Sequence, residues 1–178
     1  MAINLGIEKP IELTEAQEKG WMKRLIKRAQ EIGDKGEVPV CALILDSHGR
    51  SIGYGSNSRE KGRDPLGHAE LIAIRQASRI KGDWRLNDCT LIVTLEPCQM
   101  CTGAIIQARV GQVIYGAKDK KRGGLGGAIN LATHQSAHHK MKIKGGLMER
   151  EIKDLLESWF KQRRTLSRGR KEAQTQIF

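Results

Sequence analysis

Apolar residues first fall into register after Thr14. Trp21, Met22, Leu25, Ile26, Ala29 and Ile32 recur on one helical face until Gly33 interrupts them. Thr14 and, three residues later, Gln17 form a capping-box pair, so an amphipathic helix is predicted to start there. The period then changes. Val40 to Asp46 is a short run rich in β-formers, His48-Gly49 is a turn, and Ser51 to Ser56 reads as the returning strand of a hairpin. After a loop with Gly62, Asp64 and Pro65, Leu71, Ile72, Ile74 and Ile80 mark a second helix ending near Gly82. Thr90 to Leu95 is a buried-strand pattern. Pro97 suits a helix start, and residues 98–108 (CQMCTGAIIQA) lead into the apolar strand Val110 to Tyr115.

Strand, helix, strand, helix, strand in that order predicts an α/β domain with parallel right-handed crossovers and a sheet covered on both faces. Residues 123–127 (GGLGG) read as a flexible connector, compatible with tight backbone approach, and Met141 to Lys144 as a last strand. Ile152, Leu155, Leu156, Trp159 and Phe160 share one face of a final helix. The expected organisation is an N-terminal extension over 1–13, one domain over 14–164, and a mobile basic tail over 165–178, whose sequence lacks the apolar content to pack. No internal repeat is visible.

Length and charge narrow the partners. A chain of 178 residues buries a sizeable core without disulfides. Lys and Arg number 31 against 20 Asp and Glu, a net charge of +11 that would attract a polyanion such as nucleic acid; alone, it fits a solvated basic surface equally well. The N-terminal segment MAINLGIEKPIELTEAQ has no leader pattern, and no apolar run is long enough to span a bilayer, so a cytoplasmic protein is expected. Four cysteines, two of them Cys98 and Cys101, are too few and too unevenly spaced for a secreted disulfide framework.

The candidate chemistry lies in two short motifs, His68-Ala69-Glu70 and Pro97-Cys98-Gln99-Met100-Cys101. Cysteines at i and i+3 in a first helical turn share a face, and a helix N-terminus favours thiolate, so both can offer sulfur to one cation. With His68 as third ligand, zinc would keep its fourth tetrahedral position open for water, which is the mark of a catalytic site. Water in that position can approach a pKa of about 7, and Glu70 is the carboxylate placed to take and return its proton. Residues two apart on a helix point about 200° apart, so His68 and Glu70 can flank one ion only if the helix end is aimed at it. Three alternatives stay open. The Cys-x-x-Cys pair could be a redox pair, or half of a structural site completed by Cys89 or Cys41, which leaves Glu70 unexplained. A second metal site among His134, His138 and His139 is conceivable, without supporting carboxylate or thiolate spacing.

These motifs, together with GEVPV (36–40), TLEPCQMCTGAI (94–105), YGAKD (115–119) and WFKQRR (159–164), resemble the cytidine and deoxycytidylate deaminase superfamily, and within it the tRNA-specific adenosine deaminases. The resemblance spans about residues 17–164. It implies a three-layer α/β/α sandwich with a central mixed five-stranded sheet, a homodimer, and conversion of adenosine to inosine at the tRNA wobble position. It implies His68, Cys98 and Cys101 as ligands of one Zn2+ and Glu70 as the catalytic proton shuttle. Asn57 and the backbone of Ala69 and Pro97 would line the base pocket, Asp119 would contact a neighbouring ribose, and Phe160, Arg163 and Arg164 would touch the anticodon loop. Leu66-Gly67 departs from the family pattern and bears on the fine shape of the pocket. Two other readings remain: a deaminase of free cytosine or guanine, since the motifs do not choose the substrate, and a noncatalytic zinc module that binds RNA.

Overall fold

The computed structural model describes residues 9–175, with side chains through Leu166. Helix α1 (Glu15–Asp34) starts at a complete capping box: the Thr14 hydroxyl accepts the Gln17 N–H at 3.3 Å and the Gln17 side chain accepts the Thr14 N–H at 2.9 Å. Strands β1 (Cys41–Leu45) and β2 (Ser51–Ser56) form an antiparallel hairpin. A four-residue helix α2 (Arg59–Gly62) follows, then α3 (Ala69–Lys81), β3 (Thr90–Leu95), α4 (Gln99–Gln107), β4 (Gln112–Ala117), β5 (Lys142–Lys144) and α5 (Glu149–Thr175).

The five strands form one mixed sheet in the order β2-β1-β3-β4-β5. Strand β1 is antiparallel to both β2 and β3, so β2 and β3 run the same way and the β2-α3-β3 crossover passes over β1. Strands β3, β4 and β5 are parallel. Helices α1 and α5 pack on one face, against β1, β3 and β4; α3 lies on β2 and β1 on the other, with α4 beside it. This is the expected three-layer α/β/α sandwich.

The fold follows from where the apolar residues are. Strand β1 is buried at every position, as a central strand covered on both faces must be. Ile44, Leu91, Ile92, Ile105 and Ile114 are fully enclosed, each worth about 1.5–3 kcal/mol of burial. Strand β2 places Gly53 and Gly55 under α3, where an added Cβ would stand 2.4 Å from the Ala73 carbonyl oxygen and 2.0 Å from that of Ala69. Small residues on both sides, Ala69, Ala73 and Ala77 against glycine, seat the start of α3 directly on the sheet. The edge strand β5 is short and Lys-rich, which discourages further pairing. Among the described residues no helix is long and apolar enough to cross a membrane.

Three details differ from the sequence reading. Helix α2 replaces an expected loop because the buried Glu37 carboxylate accepts the N–H groups of Glu60 at 3.3 Å and Lys61 at 2.8 Å, tertiary bonds invisible to local pattern. Strand β4 starts at Gln112, since the Val110 and Gly111 N–H groups are spent on Ile105 and Leu86 and parallel pairing begins at Thr90 opposite Gln112. Helix α5 continues to Thr175, past the expected boundary at Arg164; residues 176–178 of the expected tail, and the first eight of the N-terminal extension, lie outside the described residues.

Candidate active site

The site forms at the sheet edge where β3 and β4 end and β1 begins, and both motif helices start there. His68 is the N-cap of α3 and Cys98 the N-cap of α4, each with extended backbone; Glu70 and Cys101 lie within the first turns. Two positive helix ends thus converge on the same few ångströms, a setting that favours anionic ligands. The His68 Nδ1 atom is 3.7 Å from the Cys98 sulfur and 3.5 Å from the Cys101 sulfur, and all three donor atoms fall within 4.8 Å of one another. Tetrahedral zinc with the usual Zn–S and Zn–N lengths needs sulfur-to-nitrogen edges of about 3.6 Å, so the spacing fits the ion. Among the described residues no other such group exists: His134 bonds Ser136, and His139 bonds the Val110 carbonyl. Cys41 and Cys89 stand outside the cluster, their thiols pushed up by burial to about 11 and about 12, which removes the four-ligand structural alternative.

The site's electrostatics follow from the hydrogen bonds among its groups and from burial. A hydrogen bond from the Cys101 thiol holds Cys98 down at about 4 against its burial, with His68 adding to the effect. The same bond and burial push Cys101 up. The hydrogen bond with Cys98 raises His68. Glu70 is only 4% exposed, and burial raises its carboxyl above the ordinary range, the Cys98 charge working in the same direction. A carboxyl so raised is suited to hold and return a proton.

Asn57, at the end of β2, accepts the Ala69 N–H at 3.0 Å through Oδ1. His68 gives α3 no side-chain cap, so Asn57 supplies one from outside the helix, and its Nδ2 donors remain for the cleft.

Above the floor opens a cleft of about 870 Å³. It is lined by Asn57, His68, Glu70, Cys98, Asp119, Phe160 and Arg164, which brings together most of the residues singled out from the sequence. Cys101 is buried behind them. Ala69 and Pro97 are not on the wall: the Ala69 N–H is taken by Asn57, and the Pro97 carbonyl accepts both the Thr102 hydroxyl and the Gly124 N–H. Arg163 also points elsewhere, donating to the Gly36 carbonyl and stacking on Trp159 at 5.2 Å, while the Trp159 indole donates to the Gly33 carbonyl at 3.0 Å. These two side chains bolt α5 to the last turn of α1 and the loop that follows it. The rim adds residues the sequence reading missed, chiefly Arg59, Lys118, Lys121, Arg122 and Lys161. The Lys-Asp-Lys-Lys-Arg run at 118–122 was the visible signal; Arg59 had none.

Comparison with known proteins agrees with this geometry. The family described as cytidine and deoxycytidylate deaminase zinc-binding region matches residues 15–117. The tRNA-specific adenosine deaminase of Bacillus subtilis (strain 168) is 38% identical over 148 residues, 83% of this chain and 91% of that protein. The tRNA-specific adenosine deaminase of Streptococcus pyogenes serotype M1 is 38% identical over 145 residues, 81% of this chain and 84% of that protein. A solved structure from work on A-to-I editing by tRNA:A34 deaminases superimposes with a TM-score of 0.73 at 34% identity, covering 77% of this chain and 99% of that one.

Proposed function

The chain belongs to the cytidine and deoxycytidylate deaminase family, alongside the tRNA-specific adenosine deaminases, and from that premise we propose that it hydrolytically deaminates adenosine to inosine at the wobble position of a tRNA anticodon. One observation carries the reading: a His-Cys-Cys donor set and a buried glutamate share the floor of a cleft whose rim is cationic. His68, Cys98 and Cys101 would hold Zn2+, which supplies water activation when bound. The residues do the rest. Glu70 takes a proton from the attacking water and delivers it to N1 of adenine as the C6–O bond forms; it then carries the proton of the new C6 hydroxyl to the departing amine, so that the C6–N bond breaks and ammonia leaves. Asn57, its oxygen fixed by Ala69, presents Nδ2 as a donor to an acceptor on the base. Asp119 and Phe160 line the way in for neighbouring nucleotides, and Arg164 with the rim cations faces phosphates. A free base carries no phosphate and would make no use of that rim. A homodimer in the cytoplasm belongs to the same proposal, supported by the family resemblance; sedimentation at micromolar concentration checks the dimer.

The test is a zinc-loaded preparation incubated with an anticodon stem-loop carrying adenosine at the wobble position, alongside free adenosine, cytosine and guanine. Inosine in the RNA alone is the expected outcome. Turnover of a free base with none in RNA would overturn the substrate while leaving the chemistry.

A further inference from the structure

Glu96, two residues before the first ligand cysteine, is 2% exposed, and its carboxylate is met by backbone N–H groups from a single distant loop. Oε2 accepts the Asp119 N–H at 3.0 Å, and Oε1 accepts those of Leu125 at 3.0 Å and Gly127 at 2.8 Å. A buried carboxylate is costly unless its lone pairs are met, so the loop and the charge depend on each other. Two of the glycines in 123–127, Gly123 and Gly127, are explained by this wrapping. A Cβ on Gly123 would stand 2.4 Å from the Glu96 Cδ, and one on Gly127 would stand 2.4 Å from Oε2 and 2.1 Å from the Asp119 oxygen.

The segment so gripped is one of those that carry positive charge to the cleft. Lys118, Lys121 and Arg122 line it on this side. The turn is closed further by Asp119, whose Oδ1 accepts the N–H groups of Lys121 at 2.8 Å and Arg122 at 3.1 Å. We infer that Glu96 is the positioning residue of this cationic wall: its buried carboxylate fixes the backbone that presents Lys118, Lys121 and Arg122 to substrate phosphates. It thereby governs substrate binding and leaves the chemical step to the floor. This rests on the reading of the substrate as RNA.

Glu96→Gln is nearly isosteric and replaces one acceptor oxygen with an amide that faces N–H donors. Gly127→Ala disturbs the same grip from the loop side, without touching the neighbourhood of Cys98, and serves if the first variant folds poorly. Both are compared, as zinc-loaded full chain, with wild type, with Lys121→Ala/Arg122→Ala, and with Glu96→Gln in that double background. For each are measured zinc content, kcat and KM on the stem-loop, the salt dependence of binding, and amide hydrogen exchange.

The expected result is one zinc per chain, kcat within about threefold, KM raised about tenfold, and a log–log salt slope reduced by about one. Exchange should quicken over 119–127. Adding Glu96→Gln to the double variant should change KM by less than about twofold, because both act through the same wall. Loss of zinc or of kcat at unchanged KM, or full additivity in the double background, would overturn the proposal. If wild type fails to bind RNA at all, the substrate reading fails, and exchange alone decides the positioning role: quickening confined to 119–127 upholds it, and unchanged protection sinks it.

Discussion

At the floor of the cleft, four side chains from the starts of two helices meet within hydrogen-bonding reach, largely buried, their protonation set by one another. At its rim, cations from α2, the loop after β4 and α5 stand in solvent and bond little. The floor is made by local sequence: two motifs, each within four residues, fix its donor set because a helix start holds neighbouring residues in known relative directions. The rim is made by tertiary structure, since its cations come from segments joined only by packing. Chemistry and substrate affinity are thus built by separate means, and separate substitutions should reach them.

The floor should break most completely. Glu70→Ala is expected to lower kcat by about 10²–10⁴-fold while zinc content stays at one per chain and RNA binding changes by less than about threefold. Single-turnover assays with metal analysis check this. A variant that lost turnover only in proportion to lost zinc would make Glu70 a structural support of the metal. Unchanged turnover would remove Glu70 from the chemical step, whereas wild type that binds RNA without turning it over, with binding unaffected by the substitution, would favour a binding module.

The rim should respond in the opposite way. Arg59→Ala with Lys161→Ala and Arg164→Ala is expected to raise KM about ten- to a hundredfold, lower the log–log salt slope by about two, and leave zinc and kcat near wild type. Titrations at several salt concentrations measure the slope. If kcat fell with the same factor, floor and rim would be one unit and the contrast would fail.

The same contrast explains what could be read from the sequence. The capping box at Thr14 and Gln17, the buried strand Thr90–Leu95 and the ligand spacing are local, and each was legible. Helix α2 was not, because its N-terminal N–H groups are satisfied by Glu37 from 23 and 24 residues away. The backbone engagement of Ala69 with Asn57 and of Pro97 with Gly124 was likewise beyond spacing, since the partners come from segments distant in sequence. Glu96 sat in plain view within the TLEPC segment, but its role depends on a loop 23 to 31 residues further on.

Arg163 lies between the two classes. Its neighbour Arg164 faces the cleft, whereas Arg163 is engaged with Gly36 and Trp159. Arg163→Ala is therefore expected to cost about 1 kcal/mol of stability, read as a melting temperature lower by a few degrees, with an unchanged salt slope. A slope reduced by about one at unchanged melting temperature would return Arg163 to the RNA-contacting rim.

The smallest effect should come from a site outside both regions, which controls for general loosening. Asp46 closes the β1–β2 turn at the far end of β1 from the cleft. It accepts the N–H groups of His48 and Arg50 at 2.9 Å each and the Arg50 guanidinium at 2.7 Å. Burial pushes its carboxyl up, but these donors prevail and hold it below the ordinary value. A native pKa below the unfolded one gives stability that is present above the unfolded value and lost as pH falls through the native one. Asp46→Asn keeps the acceptor oxygen and loses the charge. It should cost about 1 kcal/mol at pH 7 and progressively less as the pH falls through the lowered native value, as denaturant titrations over a series of acidic pH values would show. Both kcat and KM should be unchanged at pH 7. If KM rose with this distant loss of stability, a raised KM in the rim variants would report a loosened fold rather than lost phosphate contacts, and only the salt slope could then separate them.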